Sequence, residues 1–207
     1  MKIAIIGLGN MGKGLAKRLA GKADVTLAGR DMAAVAAVAA TLPGTKSASI
    51  SAAISGADIV VLATQYGAAL ELAALPALQG KIVVDISNPV KPDFSGLLLG
   101  HNSSAAEEIQ AVAKGAHVVK AFNTIFASLF DAPVAATSSV PVFLAGNDSA
   151  SVDAVAGMVS AAGFVVEKTG GLDAARLLEP VGMLNIRFGY GLGRGTAIAP
   201  SWTTIAV

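Results

Sequence analysis

The sequence contains no cysteine, and this absence removes several kinds of site at once. It excludes disulfides, thiolate nucleophiles and Cys-based zinc or iron–sulfur sites. Histidine is also scarce, since the 207 residues include only 2, and we expect no metal site. Lys and Arg total 15 against 14 for Asp and Glu, so we expect no basic surface of the kind that binds nucleic acid.

Long apolar runs are absent as well. Although 54% of the residues are hydrophobic, polar or charged residues break every apolar run before it reaches about 18 residues. The N-terminal Met1–Gly7 lacks the charge step and cleavable apolar region of a signal peptide, and it begins directly with a predicted strand. The sequence therefore predicts a cytoplasmic protein with no membrane partner.

Short β-branched runs alternate along the chain with longer Ala-rich segments, a pattern typical of α/β folds. We expect one domain over residues 1–207, with a doubly wound, mainly parallel sheet and helices on both faces. A C-terminal helix and a Gly-rich tail occupy about 172–207. Strands are predicted at 2–6, 24–28, 59–63, 81–86, 118–122, 140–145 and 164–167. Helices are predicted at 11–20, 32–42, 68–78, 105–114, 149–162 and 173–188.

A glycine motif follows the first predicted strand directly and opens the first helix. Its glycines permit a tight turn, close approach of a pyrophosphate to the backbone, and close packing of helix on strand. The helix N-terminus offers free N–H groups to an anion. The alternative is a tight strand-to-helix turn without a ligand. The predicted dinucleotide-binding residues are Gly7, Leu8, Gly9, Asn10, Met11 and Gly12.

The second predicted strand ends at Gly29 and Arg30, where an NAD-specific site usually has an acidic residue. A guanidinium at this point can bind a ribose 2′-phosphate, which favours NADP(H) over NAD. The competing interpretation makes the next residue, Asp31, the ribose-binding acid. Because Asp31 precedes a predicted helix, it is more simply explained as an N-cap.

Polar clusters follow three later predicted strands. In an open parallel sheet such strand ends form the ligand-binding edge. Their hydroxyls and amides can hold ribose and nicotinamide groups, and Tyr66 can stack on a ring. The alternative is that they are ordinary turn residues. The clusters are Thr64-Gln65-Tyr66, Ser87-Asn88-Pro89 and Asn123-Thr124.

The sequence shows no acid–base or nucleophilic constellation, and we predict no catalytic side chain. His101 and His117 are far apart, and Ser104 with Glu107 three residues later matches a helix-capping pattern. Hydride transfer between two bound ring systems needs alignment rather than a protein acid, so the lack of such groups is compatible with it.

The combined motifs resemble those of the NADP oxidoreductases that depend on the deazaflavin coenzyme F420, a group similar to the cytosolic reductase domains of the STEAP metalloreductases. The resemblance spans nearly the whole chain. It depends on the segments Ile6–Ala16, Ala28–Arg30, Asp85–Pro89, Val118–Thr124 and Gly170–Pro180.

This resemblance implies a single Rossmann-like domain. Leu8–Met11 would hold the pyrophosphate, Gly29 and Arg30 the 2′-phosphate, and the later strand ends the nicotinamide. The hydride acceptor would be coenzyme F420 or a flavin (FMN or FAD). Asn123 stands where deazaflavin-using members tend to have His, which leaves the acceptor open.

Two other functions stay open: an NADPH-dependent reductase of a small carbonyl or imine substrate, and a non-catalytic NADP-binding sensor. Arg187 and Arg194 are candidate anchors for an anionic acceptor tail, or solvated surface charges. The predicted helix from Asp173 is apolar around much of its circumference, so it should be buried in its own core or in a partner, and we favour a homodimer through this region.

Overall fold

The computed structural model describes residues 1–205 and contains an eight-stranded sheet. In the order of the sheet the strands are β3-β2-β1-β4-β5-β6-β7-β8. Their bounds are Lys2–Ile6 (β1), Asp24–Ala28 (β2), Lys46–Ser47 (β3), Ile59–Leu62 (β4), Ile82–Asp85 (β5), His117–Lys120 (β6), Pro141–Gly146 (β7) and Val165–Lys168 (β8). The predicted doubly wound sheet is confirmed.

All neighbouring strands run parallel except β6 and β7. After β1 the chain adds β2 and β3 on one side, and then crosses to add β4 and β5 on the other. The loops after β1 and β4 therefore leave the sheet in opposite directions and open a crevice at the carboxyl ends of the strands, where open α/β sheets bind ligands.

Eight α-helices lie within the described residues. They are Asn10–Leu19 (α1), Met32–Ala40 (α2), Ile50–Gly56 (α3), Tyr66–Ala73 (α4), Ala105–Val112 (α5), Val134–Thr137 (α6), Ser149–Ala161 (α7) and Ala175–Ile186 (α8). Short 3-10 turns at Pro76–Leu78, Ala127–Phe130 and Leu172–Ala174 and a π turn at Arg187–Gly191 complete the chain's helical parts.

None of the helices in residues 1–205 is long and apolar enough to cross a bilayer.

Sequence patterns identified the longer elements and missed the short ones. The two-residue β3, α3 and the four-residue α6 were not predicted. The helix predicted at 68–78 begins at Tyr66 and ends at Ala73, and the one predicted at 173–188 is a 3-10 turn, then α8, then a π turn.

The central strands of the sheet are buried on both faces. Along β1, Ile3 and Ile5 belong to one apolar cluster, while Ala4 and Ile6 belong to the cluster on the opposite face. Alternate side chains of a strand point to opposite faces, so an all-apolar strand needs a helical layer on each side. This double burial fixes the strand ends rigidly, and the crevice is built on them.

Candidate functional site

A cavity of about 1040 Å³ lies along the carboxyl edge of the sheet. Its walls include most of the residues that the sequence predicted for the dinucleotide, contributed by the loops after β1, β2, β4, β5 and β6. Those residues are Gly7, Leu8, Gly9, Asn10, Met11, Gly29, Arg30, Thr64, Gln65, Ser87, Asn88, Asn123 and Thr124.

The glycines of the first loop have different physical roles. Gly7 has a φ of 107°, and its N–H donates to the Ala28 carbonyl at 2.9 Å, which turns the chain out of β1. A Cβ atom on Gly12 would lie 2.0 Å from the Gly7 carbonyl oxygen, so glycine is required for α1 to start this close to β1. A Cβ on Gly9 would meet no atom within 4 Å, which leaves free space beside this backbone.

Arg30 and Asp31 both line the cavity at the end of β2. The Asp31 Oδ1 atom accepts from the N–H groups of Ala33 and Ala34, each at 3.0 Å. The predicted N-cap is therefore confirmed, and one carboxylate oxygen of Asp31 is committed to α2. Arg30 is exposed and lines the cavity.

The loop after β6 is held in an uncommon backbone conformation. Phe122 has a φ of 59°, in the left-handed region that side-chain-bearing residues rarely adopt. Its ring is buried against Phe130 and Phe164, with centroids 6.0 and 6.3 Å away. This packing holds the turn that brings Asn123 and Thr124 to the cavity.

Asn88 and Asn123 join the loops after β5 and β6. The Asn88 Nδ2 donates to the Asn123 carbonyl at 2.7 Å, and the Asn123 Nδ2 donates to Asn88 Oδ1 at 3.0 Å. The Asn123 Nδ2 also donates to the Leu178 carbonyl of α8 at 2.9 Å. These bonds fix both amides at the end of the cavity away from Arg30.

Four buried polar atoms in this cavity have no hydrogen-bond partner within residues 1–205. They are Thr64 Oγ1, Ser87 Oγ, Asn123 Oδ1 and Thr124 Oγ1. A buried polar group left unpaired costs about 1–3 kcal/mol. Of the other described side-chain atoms only Thr45 Oγ1, outside the cavity wall, shares this property. Such a concentration at one site fits a polar ligand that supplies the missing partners.

Three predicted residues do not line the cavity. Gly12 lies behind the loop, and Pro89 is buried beside it. Tyr66 turns toward α5, where its hydroxyl donates to the Glu108 carboxylate, and burial raises the pKa of that hydroxyl. The expectation that Tyr66 stacks on a bound ring is therefore corrected, because its position at the start of α4 directs it to the neighbouring helix.

One wall of the cavity, formed by α8 and the π turn, was not predicted from the sequence. Gly182, Asn185, Ile186 and Tyr190 line the cavity. A Cβ on Gly182 would lie 2.7 Å from Asn88 Oδ1, so only glycine lets α8 pack this closely. The Asn185 Nδ2 donates to the Thr124 carbonyl at 3.0 Å. A Gly and an Asn three residues apart, among the apolar residues of the second half of the helix, were the available signal.

A buried charge cluster lies beneath the Ser87 loop. The Lys120 Nζ donates to Asp85 Oδ2 and Glu179 Oε1 at 2.7 Å each, and to the Ser87 carbonyl at 2.6 Å. Asp85 Oδ1 accepts from the Ser87 N–H at 2.9 Å. The cluster therefore hydrogen-bonds both the backbone N–H and the backbone carbonyl of Ser87, which lines the cavity.

Glu179 ties this cluster to the start of α5. Its Oε2 accepts from the Ala105 N–H at 3.0 Å, and its Oε1 from the Ala106 N–H at 3.4 Å. Burial raises the pKa of Glu179, and the neighbouring Lys120 charge opposes that rise. The role of this carboxylate was not predicted, because its partners are more than 50 residues away along the chain.

Known proteins are similar to this chain in sequence and fold. The model of the family "NADP oxidoreductase coenzyme F420-dependent" matches residues 2–89. The structure of a candidate F420-dependent NADP-reductase from Arthrobacter sp. FB24 is 32% identical, with a TM-score of 0.82 over 95% of this chain and 96% of that one. A hypothetical protein from Sinorhizobium meliloti is 33% identical, with a TM-score of 0.77 over 84% and 87% of the two chains.

A curated relative is much longer. Metalloreductase STEAP3 of Rattus norvegicus is 29% identical over 184 residues, which is 87% of this chain and 36% of the relative. This chain therefore spans about a third of that protein. The family model covers the glycine loop and the ends of β2, β4 and β5, and the similarity to the Arthrobacter protein extends over nearly all of both chains. The chain belongs to the family of coenzyme F420-dependent NADP oxidoreductases.

Proposed function

We propose that the protein binds NADP(H) in the 1040 Å³ cavity and transfers hydride between its nicotinamide and a flavin-like acceptor, either coenzyme F420 or a flavin. The observation that carries this proposal is the group of four unpartnered polar atoms on the residues that line the cavity. A nicotinamide carboxamide and ribose hydroxyls can donate to and accept from such atoms.

Different residues of the cavity wall would contact the pyrophosphate, the 2′-phosphate, and the ribose and nicotinamide of NADP(H). The loop Leu8–Met11 offers backbone N–H groups and free space beside Gly9 to the pyrophosphate. Gly29 and Arg30 hold the 2′-phosphate, because a guanidinium forms charge-assisted bonds with phosphate. Thr64, Gln65, Ser87, Asn88, Asn123 and Thr124 hold the ribose and nicotinamide.

The chain's own contribution to the reaction is alignment. NADPH supplies the hydride, the acceptor ring takes it together with one solvent proton, and NADP⁺ remains. Asn88 and Asn123, locked by their mutual hydrogen bonds, orient the ring that donates the hydride. Fixing two reactants in one geometry lowers the barrier without any protein acid.

The test is a titration of purified protein with NADPH, followed by coenzyme F420, FMN, FAD and a small cyclic imine while nicotinamide absorbance is measured. We expect NADPH to be consumed when a tricyclic acceptor is added. Consumption only with the imine would contradict the proposal in favour of a small-substrate reductase. Binding without consumption by any acceptor would indicate a nucleotide sensor.

We also propose a homodimer formed through α8. Leu177 and Leu184 lie one heptad apart on this helix and are 71% and 49% exposed. Light scattering should give about twice the 20.5 kDa chain mass, and Leu177→Asp should reduce it to the monomer. Val134→Asp, at a residue on α6 that is 48% exposed, is the matched control and should leave the dimer intact. A monomeric wild type contradicts this proposal.

A further inference from the structure

A second cavity of about 500 Å³ adjoins the first. Asn10, Phe126, Ala127 and Tyr190 line both cavities, so they form a shared wall. The second cavity is also lined by Lys13, Gly14 and Lys17, which follow Asn10 along α1. Phe126 and Ala127 follow Asn123 and Thr124 in the loop after β6, so the shared wall adjoins the end of the first cavity assigned to the nicotinamide.

Two cations line this second cavity. Lys13 and Lys17 stand one turn apart on α1, and both are exposed. The Lys17 Nζ forms an ion pair with Asp131 Oδ1 at 2.8 Å, and Lys17 holds the pKa of that carboxyl below its usual range. With one anion against two cations, the side chains lining this cavity carry a net charge of +1.

The floor of the second cavity is rigid. A Cβ on Gly14 would lie 2.6 Å from Phe130 Cδ2, so glycine allows the Ala127–Phe130 turn to pack directly on α1. The buried guanidinium of Arg18 donates to the Leu129 and Phe130 carbonyls at 2.7 and 2.8 Å. The lysines are therefore presented from a fixed surface rather than from a mobile loop.

The shared wall is aromatic. Phe126 and Tyr190 make an edge contact, with centroids 5.5 Å apart and ring planes at 86°. A Cβ on Gly189 would lie 2.5 Å from Phe126 Cζ, so glycine lets the π turn approach this ring. Phe126 is buried while Tyr190 is 69% exposed, which leaves one aromatic surface open to a flat ring.

We propose that the second cavity binds the phosphate-bearing tail of the hydride acceptor, through Lys13 and Lys17, while the acceptor ring packs against Phe126 and Tyr190. This inference rests on the proposed function, since it assumes a ring placed at the nicotinamide end of the first cavity. Arg187 and Arg194 line neither cavity, and Arg194 lies over the Phe188 ring at 4.6 Å. The lysines of α1 thus replace those arginines as anchors.

The probes are pairs of acceptors that share a ring and differ in the tail. FMN and riboflavin differ by one phosphate, and coenzyme F420 differs from its ring–ribityl precursor by a phosphodiester-linked tail. Dissociation constants are measured from ligand fluorescence with NADP⁺ at saturation, so no turnover is required. KM values for NADPH oxidation are measured separately, at low and at high salt.

Three variants test the charges. Lys13→Ala and Lys17→Ala should each weaken the tailed acceptor about tenfold, because a charge-assisted bond to phosphate is lost, and should leave the tail-less one unchanged. Asp131→Asn releases Lys17 and should tighten the tailed acceptor a few-fold. Lys114→Ala removes an equal charge at an exposed residue after α5 and should change neither acceptor.

Added salt should weaken only the tailed acceptors, since exposed charges are screened. If FMN binds more tightly than riboflavin and the F420 pair shows no difference, the acceptor is a flavin nucleotide. If coenzyme F420 binds more tightly than its precursor and the FMN pair shows no difference, the acceptor is the deazaflavin. Equal binding within both pairs, or equal losses in the lysine variants for tailed and tail-less acceptors, overturns the proposal. Discrimination without NADPH oxidation would instead count against the proposed function alone.

Discussion

Lys120 and Asp85 stand opposite each other in the paired register of two parallel strands, and their Nζ and Oδ2 atoms lie 2.7 Å apart with both side chains fully buried. Each residue ends its strand directly after two buried valines, so the sheet brings opposite charges together in its interior. Glu179 of α8 supplies a second carboxylate at 2.7 Å. One ammonium thus joins β5, β6 and α8 directly beneath the cavity.

We expect Lys120→Met to destabilise the protein by about 3–5 kcal/mol, because removal of one partner leaves buried carboxylates uncompensated. The free energy of unfolding in urea measures this loss. Lys114→Met, at an exposed residue, is the control and should cost less than about 0.5 kcal/mol. A Lys120→Met variant as stable as the wild type would show that the cluster does not hold the strand ends together.

Two glutamates near α5 should affect the pH dependence of stability in opposite directions. The pKa of Glu179 is raised by burial. At pH values between the unfolded and the folded pKa, the folded state therefore holds a proton that the unfolded chain has lost. Its contribution to stability therefore falls as pH rises above about 4.3, the unfolded value for Glu. The difference in unfolding free energy, wild type minus Glu179→Gln, should decrease from pH 4 toward neutrality.

Glu107 provides the opposite case. Hydrogen bonds from Arg176, at 2.6 and 2.8 Å, hold its pKa below the usual range. Its stabilisation is present above about pH 4.3 and is lost as pH falls through the folded pKa. Glu107→Gln should therefore destabilise at pH 7, and its effect should shrink as the pH falls below about 4.3. Parallel pH profiles for the two variants would contradict these assignments.

Substitutions at two buried threonines can distinguish an effect on ligand binding from an effect on folding. Thr124 and Thr137 are both 1% exposed, but the Thr124 hydroxyl has no partner within residues 1–205, while that of Thr137 donates to the Gly163 carbonyl at 2.9 Å. Thr124→Val should preserve stability and weaken NADPH about tenfold, as expected when one hydrogen bond to a ligand is lost.

Thr137→Val should show the reverse, with a loss of about 1 kcal/mol in unfolding free energy and an unchanged dissociation constant for NADPH. Thermal unfolding and fluorescence titration of both variants provide the comparison. A Thr124→Val variant that loses stability but binds NADPH like the wild type would mean that its hydroxyl serves the fold and not the ligand.

Substitutions at Gly9 and Gly12 can likewise distinguish an effect on nucleotide binding from an effect on stability within the glycine loop. Gly9→Ala has open space for its methyl group, so the protein should fold normally. It should bind NADPH at least about tenfold more weakly, because the methyl group obstructs the pyrophosphate. Gly12→Ala forces a Cβ to 2.0 Å from a carbonyl oxygen and should destabilise the fold itself by several kcal/mol. Circular dichroism melting and nucleotide titration distinguish the two effects; equal melting temperatures would contradict the structural assignment.

Local patterns in the sequence were sufficient for the long elements and the first half of the site. β1 and β2 match their predicted bounds, since apolar strands bounded by glycine or charged residues are strong local signals. Arg30 and Ser87 were predicted as site residues because each lies within two residues of the end of such a strand. In these two cases parallel strand order determines where the residue lies.

The rest of the site depends on contacts that no local pattern shows. Lys120 meets Glu179 across 59 residues of chain, and Gly182 is required because Asn88 and the Asn123 carbonyl lie against it. Tyr66 was misplaced because its direction is set by the partner on α5. The second cavity arises where α1 meets the Ala127–Phe130 turn, more than 100 residues later in the chain. Each of these features requires the assembled fold.

The central claim is that the cavity binds NADP(H) through Arg30, and the most direct test compares NADPH with NADH in fluorescence titrations of the wild type and Arg30→Ala. We expect the wild type to bind NADPH at least tenfold more tightly than NADH, because a guanidinium–phosphate bond is charge-assisted. Arg30→Ala should remove that preference and leave NADH affinity nearly unchanged. Failure of the wild type to bind either nucleotide, or an equal loss of both in Arg30→Ala, would contradict the account.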